Sequence, residues 1–172
     1  MQFVTATRND TELLAYLVSN SNKDVAELLS LNIENAPKHP SFCTPDWINT
    51  DFDRGQIYFL AVEDNVAKGC VAFEQPNNET AYLNRLSVLP QFRHRGIGSS
   101  LVQYVIDFST SRQIKTISIG VIAEHVQIKD WYLHRGFTES GVQNFDHLPF
   151  QVLYMTYELP TSRLTGSGGP RQ

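Results

Sequence analysis

Several features that would assign this chain to a common class of protein are scarce or missing from its 172 residues. No apolar run approaches the roughly 20 residues that a membrane-spanning helix needs, and polar residues follow the first few positions too closely for a secretory signal. The two cysteines, Cys43 and Cys70, stand alone, and neither they nor the five histidines have the spacing of a metal site. These absences predict a cytoplasmic protein with free thiols, no membrane segment and no bound metal.

Net positive charge is also missing. Lysine and arginine number 14 against 18 aspartates and glutamates, which gives a net charge of −4. The only dense basic cluster, Arg93-His94-Arg95, is too short to predict a nucleic-acid partner. The whole acidic excess lies in residues 1–60, and it indicates either an ordinary solvated surface or a surface that attracts small cationic amines.

Hydrophobic periodicity predicts one domain over residues 1–160, large enough for a sizeable core. The predicted strands and helices follow the order βααβββαβαββ. Residues 36–55, which hold three prolines and three aromatic residues, are predicted to form a loop that either lines a binding cleft or is pinned to the domain. The last strand is expected to leave an exposed edge at 150–158, so the chain could be a monomer or a homodimer. Residues 161–172 are predicted to be disordered.

The stretch from Leu83 to Leu101 carries the clearest signal in the sequence. It predicts a largely buried strand ended by Pro90, a turn with two glycines and the start of an amphipathic helix. The first N–H groups of a helix lack partners within the helix and carry partial positive charge, and glycine lets a ligand come close to the backbone. The stretch therefore predicts a cradle for an anion such as a pyrophosphate. The residues of this cradle are Arg93, His94, Arg95, Gly96, Ile97, Gly98, Ser99 and Ser100.

Two better-known phosphate loops are excluded. A dinucleotide-binding fingerprint requires a third small residue where this chain has Leu101. A P-loop requires a lysine, and none follows Gly96 or Gly98. A protein that binds a nucleotide phosphate with this loop in some other way stays open as an alternative.

A second motif follows about forty residues later, where Tyr132 lies four residues before Gly136-Phe137. The two motifs, Arg93-x-x-Gly96-x-Gly98 and then Tyr-x-x-x-Gly-Phe, resemble those of the GNAT superfamily of N-acetyltransferases. The resemblance extends over nearly the whole chain. It implies an α/β (α+β) fold with a mixed central sheet of about seven strands and helices on both faces. It also implies an enzyme that transfers an acetyl group from acetyl-CoA to a primary amine, without a metal.

The resemblance also implies roles for particular residues. A backbone N–H of the strand before the glycine turn would polarise the thioester carbonyl, and the hydroxyl of Tyr132 would protonate the departing thiolate of coenzyme A. The strands at 80–88 and 115–122 would splay and leave an edge for the pantetheine arm. Many members have asparagine where this chain has His125, which would still contact coenzyme A. The strand residues that carry the N–H are Leu86, Ser87 and Val88.

The general base departs from the family pattern. Members often carry a glutamate on the fourth strand, at positions that are Tyr82 or Asn84 here. Glu79, at the start of that strand, is the favoured substitute and would act through water, with Glu124 and His125 as alternatives. The missing carboxylate also supports a second hypothesis, a coenzyme A-binding sensor or interaction module without turnover. No motif identifies the acceptor, and the acidic first third favours a small cationic amine.

Overall fold

A computed structural model describes residues 1–160, which form one seven-stranded sheet with helices on both faces. The strands are Gln2–Thr5 (β1), Ile57–Glu63 (β2), Val66–Glu74 (β3), Thr80–Val88 (β4), Thr116–Ile122 (β5), Thr138–Gln143 (β6) and Val152–Glu158 (β7). The helices are Thr11–Ser21 (α1), Lys23–Leu28 (α2), Pro45–Asp53 (α3), Ile97–Ser111 (α4) and Val126–Leu133 (α5). The tail that was predicted to be disordered, residues 161–172, lies outside the described residues.

The strand order across the sheet is β1-β2-β3-β4-β5-β7-β6, and β4 and β5 run parallel while the other neighbours are antiparallel. The predicted α/β class, with a mixed sheet and helices on both faces, is confirmed. The predicted exposed edge at 150–158 is wrong, because β7 pairs with β5 on one side and with β6 on the other. Leu153 and Met155 of β7 are buried, whereas every residue of β6 is exposed, so the more apolar strand takes the inner position.

The two faces of the sheet build two separate cores. Along β2, Phe59 belongs to the core that α4 covers, together with Leu101. Its neighbour Tyr58 belongs to the core that α1 and α3 cover, together with Leu17 and Ile48. This alternation is the two-residue period of a strand. The start of α4 and the inner side of α5 therefore lie on one face of the sheet, and α3 lies on the other.

The predicted loop at 36–55 contains a helix that sequence reasoning missed. Pro45 begins α3, and proline is favoured at the first position of a helix, where its missing N–H costs nothing. Ile48 and Asp51, three residues apart, are both buried, which gives the helix one inward side. The loop prediction for this proline-rich region is therefore wrong over residues 45–53, because Pro45 starts a helix.

β4 leaves β5 after a short paired stretch. The two strands pair only where Thr80–Tyr82 lies beside Thr116–Ser118. Farther along, the register with β3 shifts, so that Arg85 and Leu86 together oppose Val71, and Arg85 adopts a left-handed conformation with φ of 55°. Such a bulge bends the strand that carries it. The splay expected from the family resemblance is thus present, as a gap that opens toward the carboxyl ends of β4 and β5.

Both cysteines are buried and free. Burial raises the pKa of the Cys43 thiol to about 11 and that of the Cys70 thiol to about 12, so both stay protonated at neutral pH. Among residues 1–160 no three or more His, Cys, Asp and Glu side chains group closely enough to hold a metal ion. Over the same range, no helix combines the length and the apolar character that crossing a membrane requires. The cytoplasmic location stays a prediction.

Candidate active site

The glycine turn before α4 presents a row of backbone N–H groups without partners. Gly96 precedes the helix with φ of 79° and ψ of 0°, and the first hydrogen bond of the helix runs from Ser100 N to Gly96 O at 2.9 Å. The six N–H groups of residues 94–99 donate to no acceptor within residues 1–160. Because these groups also lie at the positive end of the helix dipole, they can hold an anion. This is the cradle that the sequence predicts, and we call it the amide cradle.

The side chain of Arg93, which the sequence predicts as part of the anion cradle, ties the cradle to α1 and α2. Its Nε donates to Val88 O at 3.2 Å, and its other nitrogens donate to Ser21 O and to the carboxylate of Asp24. The hydrogen bond from Arg93 lowers the pKa of Asp24. Arg95, in contrast, lies 6.0 Å over the ring of Phe92. Arg93 therefore anchors the cradle, and Arg95 is the more available cation.

This anchoring predicts a stability effect for Arg93→Gln. We expect it to lower the free energy of unfolding by about 2 kcal/mol, because it removes hydrogen bonds to a carboxylate and two carbonyls, while Arg95→Gln changes it by less than about 0.5 kcal/mol. The lowered pKa of Asp24 means that its contribution is present at neutral pH and is lost as pH falls below 3.8 toward the folded-state pKa. Urea titrations of both variants at pH 7 and pH 3 would measure this, and a difference between wild type and Arg93→Gln that stays constant over that range would contradict the assignment.

Arg135 is a second cation beside the cradle, and sequence reasoning missed it. Its guanidinium lies 3.4 Å from the ring centroid of Trp131, and its Nε donates to Ser99 Oγ at 3.2 Å. A Cβ placed on Gly98 would lie 3.4 Å from the same tryptophan ring. The four-residue spacing of Trp131 and Arg135, one helical turn, was the available signal. Arg135 therefore brings positive charge to the first turn of α4.

Tyr132 lies on the same face of the sheet as the cradle. Its ring packs edge-on against Trp131 and Phe137, with centroids 4.9 and 5.2 Å away, and only 4% of the residue is exposed. Burial raises the pKa of its hydroxyl, so the group stays protonated at neutral pH. The hydroxyl has no partner within residues 1–160, yet it is not among the fully enclosed unpaired atoms, which are Ser21 Oγ and Ser109 Oγ. It can therefore donate a proton to a ligand.

The strand residues before the cradle are bonded on one side only. Ser87 and Val88 lie opposite Cys70 and Gly69 of β3, but beyond Tyr82 the other edge of β4 has no strand beside it. Edge peptide groups of this kind can pair with an extended ligand. The structure therefore brings together the unpaired edge of β4, the amide cradle and Tyr132.

The structure does not bring the favoured base to this place. Glu79 lies at the paired end of β4, in an exposed ion pair with Lys115. Leu86 is seven positions farther along the chain, a span of about 20 Å. Glu124 and His125 follow β5 at the open end of the gap. Burial lowers the pKa of His125, so it is neutral at pH 7. By position, these two alternatives suit the role of a base better than Glu79.

A cleft lies on the opposite face of the sheet, between α3 and β4. It consists of two adjoining cavities of about 250 and 260 Å³. Beneath it, Arg85 Nε donates to Asp51 Oδ2 at 3.0 Å, and Tyr58 Oη donates to the same oxygen at 2.6 Å. Asn84, at one of the positions where family members carry glutamate, donates to Glu74 Oε2 at 3.1 Å. We call this the α3–β4 cleft.

Comparisons with known proteins point in one direction. The family model described as Acetyltransferase (GNAT) family matches residues 22–137. Human N-acetylaspartate synthetase is 29% identical over 117 residues, which cover 61% of this chain and 39% of that protein. An uncharacterized N-acetyltransferase of Schizosaccharomyces pombe is 35% identical over 86 residues, which cover 48% of this chain and 59% of that one. The match therefore spans less than two thirds of either curated relative.

Solved structures share the fold at low sequence identity. The ribosomal-protein-S18-alanine N-acetyltransferase of Escherichia coli superposes with a TM-score of 0.75 at 12% identity and covers 99% of both chains. A GNAT family acetyltransferase from Elizabethkingia anophelis, with acetyl-CoA bound, has a TM-score of 0.59 at 19% identity and covers 67% of this chain and 84% of its own.

Proposed function

The chain belongs to the GNAT acetyltransferase family, whose members use acetyl-CoA as a co-substrate, and on that premise we propose that it transfers the acetyl group to a primary amine. The observation that carries this proposal is the row of six unpartnered N–H groups at residues 94–99, beside the gap between β4 and β5. His94, Arg95 and Gly96 are exposed, so a ligand can reach the row, and several adjacent N–H donors at a helix start suit a ligand with several acceptor oxygens.

The residues at the site fit the parts of the donor. The amide cradle suits the pyrophosphate, with Arg135 and Arg95 as the nearby charges. The unpaired edge of β4 suits the pantetheine arm. An N–H of Leu86, Ser87 or Val88 would then polarise the thioester carbonyl, and His125 would contact coenzyme A.

The reaction balances with groups that the chain supplies. The amine nitrogen forms a bond to the carbonyl carbon while the C–S bond breaks. The amine gives up a proton to a base, and the thiolate takes one from Tyr132. Holding both reactants together supplies much of the rate. We propose Glu124 or His125 as the base, acting through water, whereas Glu79 would need a longer relay from its end of β4.

The cradle predicts a loss of donor affinity for Gly96→Ala. Both Gly96 and Gly55 have a positive φ, and a Cβ on either would meet nothing within 4 Å, so each alanine costs a similar strain of about 1 kcal/mol. Only the side chain at position 96 would enter the space of the pyrophosphate. We expect Gly96→Ala to weaken acetyl-CoA binding about 30-fold through the loss of one or two hydrogen bonds to a charged group, and Gly55→Ala to leave it unchanged. Isothermal calorimetry measures both, and equal affinities would remove the cradle from the proposal.

One observation favours the second candidate, a coenzyme A-binding module without turnover. Asn84 stands where members often carry a carboxylate, and its amide is held by Glu74. Release of free thiol from acetyl-CoA mixed with an amine panel separates the two. The panel should contain aspartate, because relatives are named N-acetylaspartate synthetase, together with polyamines, which the acidic first third of the sequence favours. Binding of acetyl-CoA without thiol release from any amine would support the module, and the oligomeric state, monomer or homodimer, stays a prediction in either case.

A further inference from the structure

We propose that the acceptor amine carries a carboxylate, and that Lys38, Arg54 and Arg85 form the subsite that binds it in the α3–β4 cleft. The inference rests on the proposed function. Arg85 lies immediately before the β4 residues whose N–H groups would hold the thioester carbonyl, so the cleft adjoins the place where the acetyl group is expected. A small molecule held there could bring its amine to the gap in the sheet.

The lining of the α3–β4 cleft is largely polar, and its charged residues are three cations and one carboxylate. Its two cavities share Asp51, Arg54 and Arg85, and both are open to solvent. The remaining lining residues are Lys38, Pro40, Trp47, Thr50, Gln56 and Asn84. Three cations therefore face one carboxylate inside the cleft.

The charges of the cleft do not balance. Asp51 is paired with Arg85, with N–O distances of 3.0 and 3.5 Å. Glu74, just outside the cleft, is paired with Arg54 at 2.8 Å. Lys38 Nζ makes no hydrogen bond or ion pair with any of the residues 1–160, and neither does Arg85 Nη1. One positive charge is left without a carboxylate, together with several free N–H donors, and this combination attracts an anion.

Arg85 of the subsite is held in place before a ligand arrives. Asp51 is 3% exposed and also accepts from Tyr58 and Gln56, so the guanidinium it binds cannot move freely. Trp47 adds a second support, because Arg85 and Lys38 lie 5.7 and 5.5 Å from the centroid of its ring. A pre-ordered cation loses less entropy on binding a carboxylate than a free one.

The acidic excess of residues 1–60 does not make the α3–β4 cleft acidic. Three of its aspartates are committed to arginines: Asp24 to Arg93, Asp51 to Arg85 and Asp53 to Arg8. The expectation of a small cationic acceptor, drawn from that excess, finds no support in the lining. Net charge along a sequence is a poor guide here because pairing cancels it locally.

Matched acceptors test the proposal. Thiol release from acetyl-CoA is measured with alanine, leucine and glutamate and with the corresponding amino-acid amides. We expect kcat/KM to be at least about tenfold higher for the carboxylate form of at least one pair. Lys38→Gln should raise KM for that acceptor about tenfold without changing KM for its amide. The control, Lys23→Gln, alters an exposed lysine on α2 outside the cleft and should change neither.

Direct binding separates failure of this inference from failure of the proposed function. The N-acetyl derivatives of the same three amino acids, and their amides, are titrated by calorimetry into protein saturated with coenzyme A. Tighter binding of a carboxylate form, weakened by Lys38→Gln but not by Lys23→Gln, supports the subsite even if no amine releases thiol, an outcome that would overturn the transferase activity alone. If no carboxylate form exceeds its amide in either measurement, or both lysine variants behave alike, the subsite is overturned.

Discussion

Tyr132→Phe is expected to lower kcat about 100-fold, the lower end of what a positioned general acid contributes, with little change in acetyl-CoA affinity. The ring packing against Trp131 and Phe137 is kept, and only the hydroxyl is lost. Because burial raises the pKa of this hydroxyl, the wild-type enzyme should not lose activity through Tyr132 as pH rises from 7 to about 9.5. In Tyr132→Phe the thiolate would leave without receiving a proton, and the barrier to its departure would be higher.

Rates of thiol release over that pH range, with acetyl-CoA binding measured by calorimetry, test the role of Tyr132. Tyr104→Phe is the matched control, because Tyr104 also packs against aromatic rings of the α4 core, those of Phe3 and Phe59, and has no proposed role. Equal kcat values for the two variants and the wild type would remove Tyr132 from the chemistry and leave it as a packing residue.

Asp51→Asn is expected to lower the free energy of unfolding by about 3 kcal/mol, because removing one member of a buried ion pair leaves the other charge without compensation. Burial alone would lower the pKa of Arg85, but the hydrogen bond and charge of Asp51 more than offset this, and the pKa is raised. The variant therefore leaves a charged guanidinium under the α3–β4 cleft. It also weakens the hydrogen bond from the buried hydroxyl of Tyr58.

The control for Asp51→Asn is Asp53→Asn, two residues along the chain. Asp53 pairs with Arg8 on the surface, where the two side chains are 69% and 55% exposed, and the expected change is below about 0.5 kcal/mol because solvent screens such pairs. Denaturant titrations at pH 7 compare the free energies of unfolding of the two variants, with one common slope of free energy against denaturant concentration. Similar losses in the two variants would mean that the buried network does not hold α3 to β4 as described.

The parts of the fold and site that the sequence predicts are those whose signal is local. The strand, glycine turn and helix of the cradle follow from Pro90, Gly96 and the apolar period of α4. Each of these signals involves only residues that are close together in the sequence. The spacing of Tyr132 and Gly136 is local as well. The fold class and the unpaired N–H groups of the amide cradle are therefore predictable from the sequence alone.

The missed features depend on residues far apart in the chain. Arg93 pairs with Asp24, 69 positions away in the sequence, and Arg85 pairs with Asp51, 34 positions away. At such separations the sequence does not show which side chains pair. The left-handed conformation of Arg85 is equally hidden, because arginine is not a residue that favours it. The helix that begins at Pro45 was missed for another reason, since proline can end one element and start the next.

The gap between β4 and β5 has a consequence for the order of events. Elsewhere in residues 1–160 neighbouring strands are paired. In the function that we propose, the donor would approach the gap from the α4 side of the sheet and the acceptor from the α3 side. Donor and acceptor could then be bound at the same time, and the acetyl group could pass directly between them without an acetylated side chain as an intermediate. Double-reciprocal plots of initial rates should therefore intersect rather than run parallel.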